Sequence, residues 1–209
     1  MKILNFGSLN IDYVYSVDHF VQKGETISSS QMNIFSGGKG LNQSVALGRA
    51  GAKVFHAGRI GKDGEFLVEQ LKEAGVNTDL VVVDEDCSTG HAIIQNDAEG
   101  DNCILLYGGA NQRITKEQID AALEQFDAGD YLVLQNEISN LPYLMEKAAE
   151  KQMKIVLNPS PMDEKIKALP LDKVTLFFVN EIEAAQILGQ KELESTEKAV
   201  GAFRAMFPQ

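Results

Sequence analysis

Short apolar runs alternate along this chain with stretches in which apolar residues recur every three or four positions. That rhythm predicts an α/β protein with a largely parallel sheet. Residues 2–7 read as a short buried strand, 41–50 as a helix stopped at Gly51, 54–57 as a strand, and 64–74 as a helix stopped at Gly75. Glycine suits the left-handed position that follows a helix end. A strand is expected at 80–83. Thr115 and Gln118 resemble a capping box before a helix whose Ile119, Ala122, Leu123 and Phe126 fall at helical spacing. Beyond it come a strand at 131–135, a helix at 142–151, strands at 155–157 and 174–179, and helices at 181–188 and 196–206.

Two stretches break the rhythm. Residues 11–35 carry β-formers and no good helix, and 89–107 read as a hairpin turning at Asn96–Asp101. Both are too short to fold alone. The expected organisation is an α/β body from 1–12, 36–87 and 108–209, with a small β-lid from 13–35 and 88–107 over one edge.

Composition narrows the function classes. A hydrophobic fraction of 44% and a charged fraction of 23% over 209 residues are globular values that exclude a disordered chain. No uncharged apolar run approaches the roughly 18 residues of a membrane span, and residues 1–7 lack a signal peptide's apolar stretch. A net charge of −11 repels nucleic acid and anionic lipid, so neither nucleic acid nor membrane is an expected partner. Cys87 and Cys103 are too few for a disulfide framework, lack zinc spacing, and read as reduced small apolar residues. The expected location is cytoplasmic. His19, His56 and His91 form no acid–histidine–nucleophile pattern and read as packing or surface residues. Asp84, Glu85 and Asp86 read as a solvated connection.

The chemistry gathers at Ser36-Gly37-Gly38-Lys39-Gly40-Leu41-Asn42-Gln43-Ser44, which runs into the helix at 41–50. Small residues let a ligand approach the backbone, and the helix start is expected to offer free N–H groups to an oxygen-rich ligand. A dinucleotide fingerprint would need glycine where Gln43 stands, which weakens an oxidoreductase reading. A Walker loop fails too, because Lys39 precedes Gly40 and Lys62 precedes Asp63. The glycine run followed by Gly51 and Gly61 resembles the first signature of the ribokinase-like (PfkB) carbohydrate kinase family. The likeness extends through Gly7-Ser8-Leu9-Asn10-Ile11-Asp12, Gly24-Glu25-Thr26, Ser88-Thr89-Gly90, Gly108-Gly109-Ala110-Asn111, Leu157-Asn158-Pro159-Ser160-Pro161 and Asn180-Glu181-Ile182-Glu183, in the family's order. Gly-Gly-Lys-Gly-x-Asn-Gln is most similar to its ribokinase branch.

The resemblance implies a three-layer α/β/α body and an ATP-dependent sugar kinase, with ribose the expected sugar and another sugar or a nucleoside the alternative. It implies substrate contacts at Asn10, Asp12, Gly38, Lys39, Asn42 and Glu137, with Asp12 at the end of the first strand and Asn10 on the same face. Asn180 is expected near the ATP phosphates, and Glu183 near Mg2+ through water. Asn180 and Glu183 are also spaced as a capping box, and one arrangement can serve both ends. A homodimer through the β-lid is implied as well, and a monovalent cation for the family at full length.

The family's catalytic base, an aspartate after Gly-Ala-Gly or a similar run, has one look-alike, Asp127-Ala128-Gly129-Asp130. An apolar strand follows it where a helix is required, so Asp130 reads as a turn residue and the base is expected beyond residue 209. The family's Thr-x-Gly segment is not found either. The expectation is a C-terminally truncated chain with little or no kinase activity of its own; a catalytically inactive sugar-binding or regulatory protein is the alternative.

Overall fold

The computed structural model describes residues 1–193 and 195–207. Its strands, in chain order, are β1 (Ile3–Phe6), β2 (Asn10–Ser16), β3 (Gln31–Gly37), β4 (Val54–Gly61), β5 (Asn77–Asp84), β6 (Gly90–Asn96), β7 (Asn102–Tyr107), β8 (Tyr131–Gln135), β9 (Lys154–Asn158) and β10 (Val174–Phe177). The helices are α1 (Lys39–Arg49), α2 (Glu65–Glu73), α3 (Lys116–Leu123), α4 (Leu141–Glu150), α5 (Glu181–Ile187) and α6 (Thr196–Met206). Six strands form one parallel sheet in the order β10-β9-β8-β1-β4-β5.

The side-chain period of two decides what each face of that sheet buries. Leu4 and Phe6 of β1 join Leu132, Leu134, Ile155 and Leu157 under α3 and α4, whose Ile119, Leu123, Leu144 and Met145 are also buried. The opposite face packs Val54 and Ile60 against Leu41 and Val45 of α1 and Leu67 and Leu71 of α2. The result is a three-layer α/β/α body. α1 and α2 are each followed by glycine with positive φ, Gly51 at 82° and Gly75 at 78°.

The second sheet runs β3-β2-β6-β7, with β2 antiparallel to β3 and parallel to β6, and β6 antiparallel to β7. It adds little to the core, since β7 is exposed at every position. Asn10 and Asp12 belong to this sheet, not to the end of the first strand: Gly7–Leu9 separate β1 from β2, so both residues cross into the smaller sheet.

Asp84 departs from the solvated reading. Its carboxylate lies 3.0 Å from both Arg59 Nη1 and Arg113 Nε. The Asp86 N–H first, then the two arginines, outweigh burial and hold its carboxyl below the usual range. The run Asp84–Asp86 hides this, because the arginines come from β4 and from the 3-10 turn at Gly109–Arg113. Gln118 also departs from expectation. Thr115 accepts its N–H, but the Gln118 side chain reaches Gly58 O (2.7 Å) and Arg59 Nε (3.2 Å), leaving half a capping box.

Candidate functional site

Strand order reverses at β1, with β4 on one side and β8 on the other. In an open parallel sheet, ligands bind outside the carboxyl ends of the strands at such a switch point. The turns leaving β1 and β8 meet there. Ser8 donates its hydroxyl proton to Glu137 Oε2, which also accepts the Lys39 N–H at 3.0 Å. Lys39 Nζ stands 3.6 Å from Glu137 Oε1.

This contact corrects the expectation of free N–H groups at the glycine loop. Gly38 has no side chain to cap α1, so distant residues do it: Lys39 N–H goes to Glu137, Gly40 N–H to Ser8 Oγ (3.2 Å) and Leu41 N–H to Ser8 O (2.9 Å). The helix start therefore holds the protein's own carboxylate, a favourable placement in the helix field. Gly38 is required on two counts. Its φ is 95°, and a Cβ would stand 2.9 Å from Ser8 O.

Asp12 projects from β2 beside this cluster. Burial first, then the negative charge of Glu137, raises its carboxyl above the ordinary aspartate value, with Lys39 opposing. Among the described residues no protein group donates a hydrogen bond to it. Phe35 and Ala92 are its cross-strand partners, and Leu106, which pairs with Ala92 one strand further on, lies in the same row on that face. Asn10, two residues back, is buried; its Oδ1 accepts from Asn111 Nδ2 at 2.8 Å. Asn111 also takes the Leu9 N–H (3.0 Å) and donates to Leu9 O (3.1 Å), locking the crossing between the sheets. Ser8 and Asn111 lay inside segments singled out above, but no local signal assigned them these partners.

A cleft of about 550 Å3 opens alongside, lined by Lys39, Asn42, Gln43, Ser160, Asn180 and Glu183 among others. Glu183 N–H donates to Asn180 Oδ1 at 2.8 Å and Asn180 N–H to Glu183 Oε2 at 3.1 Å, a complete capping box. Among the described residues no three His, Cys, Asp or Glu side chains converge as a metal cage. Mg2+ needs no such cage; one carboxylate with water and phosphate oxygens suffices, and Glu183 is the acid at this cleft. The structure thus gathers Lys39, Asn42, Asn180 and Glu183 around one cleft and Asp12, Lys39 and Glu137 around one cluster, with Lys39 common to both.

Asp130 lies elsewhere. It precedes β8 while Glu137 follows it, so five strand residues, about 17 Å, separate the two ends. Its carboxylate accepts N–H groups from Lys2 (2.6 Å) and Asp127 (3.1 Å). His56 is fully buried on β4, its Nδ1 2.8 Å from Ser44 Oγ, and its Nε2 has no hydrogen-bond partner. Burial, only partly offset by the Gly7 backbone, brings its pKa from 6.5 to about 4. As pH falls through 6.5 the unfolded chain takes up a proton that the folded chain refuses until about pH 4. Stability should drop by roughly 3 kcal/mol across that window. Urea denaturation at pH 7.5 and 5 checks this: His56→Gln should show a clearly smaller difference than wild type, and equal differences would contradict it.

The whole chain, residues 1–209, matches the pfkB family of carbohydrate kinases. The chain belongs to that family. A ribokinase of Staphylococcus aureus (strain COL) is 35% identical over 199 residues, covering 91% of this chain and 64% of the relative. This pfkB chain thus spans a little under two thirds of that relative's length. Among solved structures, a ribokinase from Cryptococcus neoformans var. grubii serotype A in complex with ADP superposes with a TM-score of 0.79 at 36% identity, covering 98% of this chain and 67% of that one. Arabidopsis thaliana ribokinase complexed with ribose and ATP gives 0.84 at 26% identity, with 98% and 67% covered. The three-layer body and the small second sheet are therefore the pfkB fold. Among the described residues no helix is long and apolar enough to cross a membrane.

Proposed function

We propose that this chain carries the sugar site of a cytoplasmic ATP-dependent kinase that converts D-ribose to D-ribose 5-phosphate. The observation that carries the reading is Asp12: a half-buried carboxylate with no hydrogen bond from the described protein, beside Glu137 and Lys39. A buried acid left unpaired is costly unless a ligand completes it. Asp12 and Glu137 accept hydrogen bonds from sugar hydroxyls, Lys39 and the Asn10 amide donate, and Gly38 lets the sugar approach the backbone. Asn42 extends this polar wall. Phe35 and Leu106, both exposed here, flank the buried Ala92 on the Asp12 face, and a bound sugar would cover them; in that sense the second sheet is a lid. Mg2+–ATP supplies the phosphoryl group and neutralises its charge, with Asn180 and water-linked Glu183 the residues placed to meet it. The attacking sugar oxygen forms the new P–O bond as the bond to ADP breaks, and its proton leaves to a base that we assign to none of these residues. Sugar binding without turnover is the second reading, favoured by the remote position of Asp130. The exposed Ile34, Leu105 and Tyr107 and the open edges β3 and β7 support pairing with a second copy through the lid.

Calorimetry with D-ribose on wild type and Asp12→Asn tests the sugar site. A carboxyl raised in the folded state supports folding below the unfolded value, and that support is lost as pH rises through the folded value. At pH 7 the amide should therefore raise Tm slightly, and the gain should vanish at acid pH. It should also weaken ribose at least about tenfold, the size of a lost charged hydrogen bond. Undiminished affinity in Asp12→Asn would overturn the assignment.

A further inference from the structure

Beneath the glycine loop lies a chain of buried amides whose orientations are all set by one backbone carbonyl. Gly40 O can only accept, so Asn5 turns its NH2 to it at 2.8 Å and places the second proton on Ser44 Oγ at 2.8 Å. The Ser44 proton then goes to His56 Nδ1, and Asn5 Oδ1 is left as an acceptor. Gln135 must offer Nε2 to that oxygen, at 2.9 Å, and the same NH2 reaches Gln43 Oε1 at 2.7 Å. Turning Gln135 over would set two oxygens against each other at each contact. The arrangement instead leaves Gln135 Oε1 buried without a partner, an accepted cost of the donor direction.

Gln43 is consequently held by its oxygen. Its NH2 finds no acceptor among the described residues, and the side chain lines the cleft with Lys39, Asn42 and Asn180. Asp12 and Glu137, the sugar acceptors, are not among the residues lining it, and Glu183 Oε2 is occupied by the Asn180 N–H. This is a donor-rich wall.

We propose that Gln43 is a binding residue for a phosphoryl oxygen, with Gln135 and Asn5 as positioning residues that keep its amide donor turned outward. The assignment rests on reading the cleft as the place of phosphoryl transfer.

Side-chain amide NMR of the 15N-labelled chain tests it, with Gln43 assigned by its disappearance in Gln43→Met and the wild-type titrations standing independently of any variant. D-Ribose 5-phosphate should shift the Gln43 NH2 signals, and D-ribose should not. Gln43→Met should lower the preference for ribose 5-phosphate over ribose roughly tenfold, and Gln43→Glu, which adds a repelling charge, by more. Gln135→Met should cut the preference about threefold and narrow the spread of the two Gln43 proton shifts, which a purely structural role would leave alone. Ribose binding with Gln43 unmoved by ribose 5-phosphate overturns this inference alone. A Gln43 response to inorganic phosphate without any ribose binding supports it and overturns the sugar reading instead. Equal shifts with ribose make Gln43 a hydroxyl contact and overturn the phosphoryl assignment.

Discussion

Glu137→Ala is expected to remove ribose binding and a measurable part of the stability together. The carboxylate carries three contacts at once: the Ser8 hydroxyl, the Lys39 N–H at 3.0 Å, and Lys39 Nζ at 3.6 Å. Truncation strands the first two donors in a site whose acid side chain is only 8% exposed. Unpaired buried donors cost about 1–3 kcal/mol each, whereas the ammonium, 37% exposed, keeps its water and adds little. Two such donors cost at least about 2 kcal/mol, a Tm fall of roughly 4–8 °C or more at this chain length. Ribose affinity should fall roughly 10- to 100-fold, because a charged acceptor is lost and Lys39 loses its anchor. Glu137→Gln separates the effects: its amide oxygen can still accept the Lys39 N–H, so most of the stability returns while the charged acceptor does not. Differential scanning calorimetry and ribose titration on both variants decide it. Wild-type affinity in Glu137→Ala would remove Glu137 from the site.

The cluster also shows what the sequence could and could not disclose. Strands and helices were legible because side-chain periods of two and near four are local properties; the final helix lies at Thr196–Met206, where spacing places it. The capping box at Asn180 and Glu183 was legible for the same reason. The start of α1 was not, because its N–H groups are taken by Ser8 and by Glu137, 32 and 98 residues away. Asp84 misled in the same way, its acidic neighbours suggesting solvent while its partners came from other elements. Asp12, Lys39 and Glu137 fall in segments that resemble the family's, but only the topology explains their meeting: the turns after β1 and β8 are neighbours across the switch point. Glu137 follows β8, α1 with Lys39 starts against Ser8 in the turn after β1, and that turn leads into β2 with Asp12. The amide chain through Asn5, Gln43 and Gln135 has no signature, since its members are separated by up to 130 residues.

Gly40→Ala should be strongly destabilising although it adds a single methyl group. α1 lies so close to the turn after β1 that a Cβ at Gly40 would stand 2.4 Å from Ser8 N, 2.5 Å from Gly7 C and 2.6 Å from Gly7 Cα. All three are backbone atoms, so no side chain can swing aside; the helix or the strand end must move. Forced overpacking costs about 3 kcal/mol at the upper end of its usual range, a Tm loss of roughly 10 °C. Gly51→Ala provides the contrast: φ is 82°, but nothing lies within 4 Å, so only the backbone preference of about 1 kcal/mol is lost. Moving α1 outward also withdraws the Lys39 N–H from Glu137 and the Gly40 carbonyl from Asn5, so ribose affinity should fall in Gly40→Ala and hold in Gly51→Ala. Thermal melts and ribose titrations of the two variants side by side would show it. Equal stability losses, or unchanged ribose binding in Gly40→Ala, would mean that the close approach of helix and strand does not set the site.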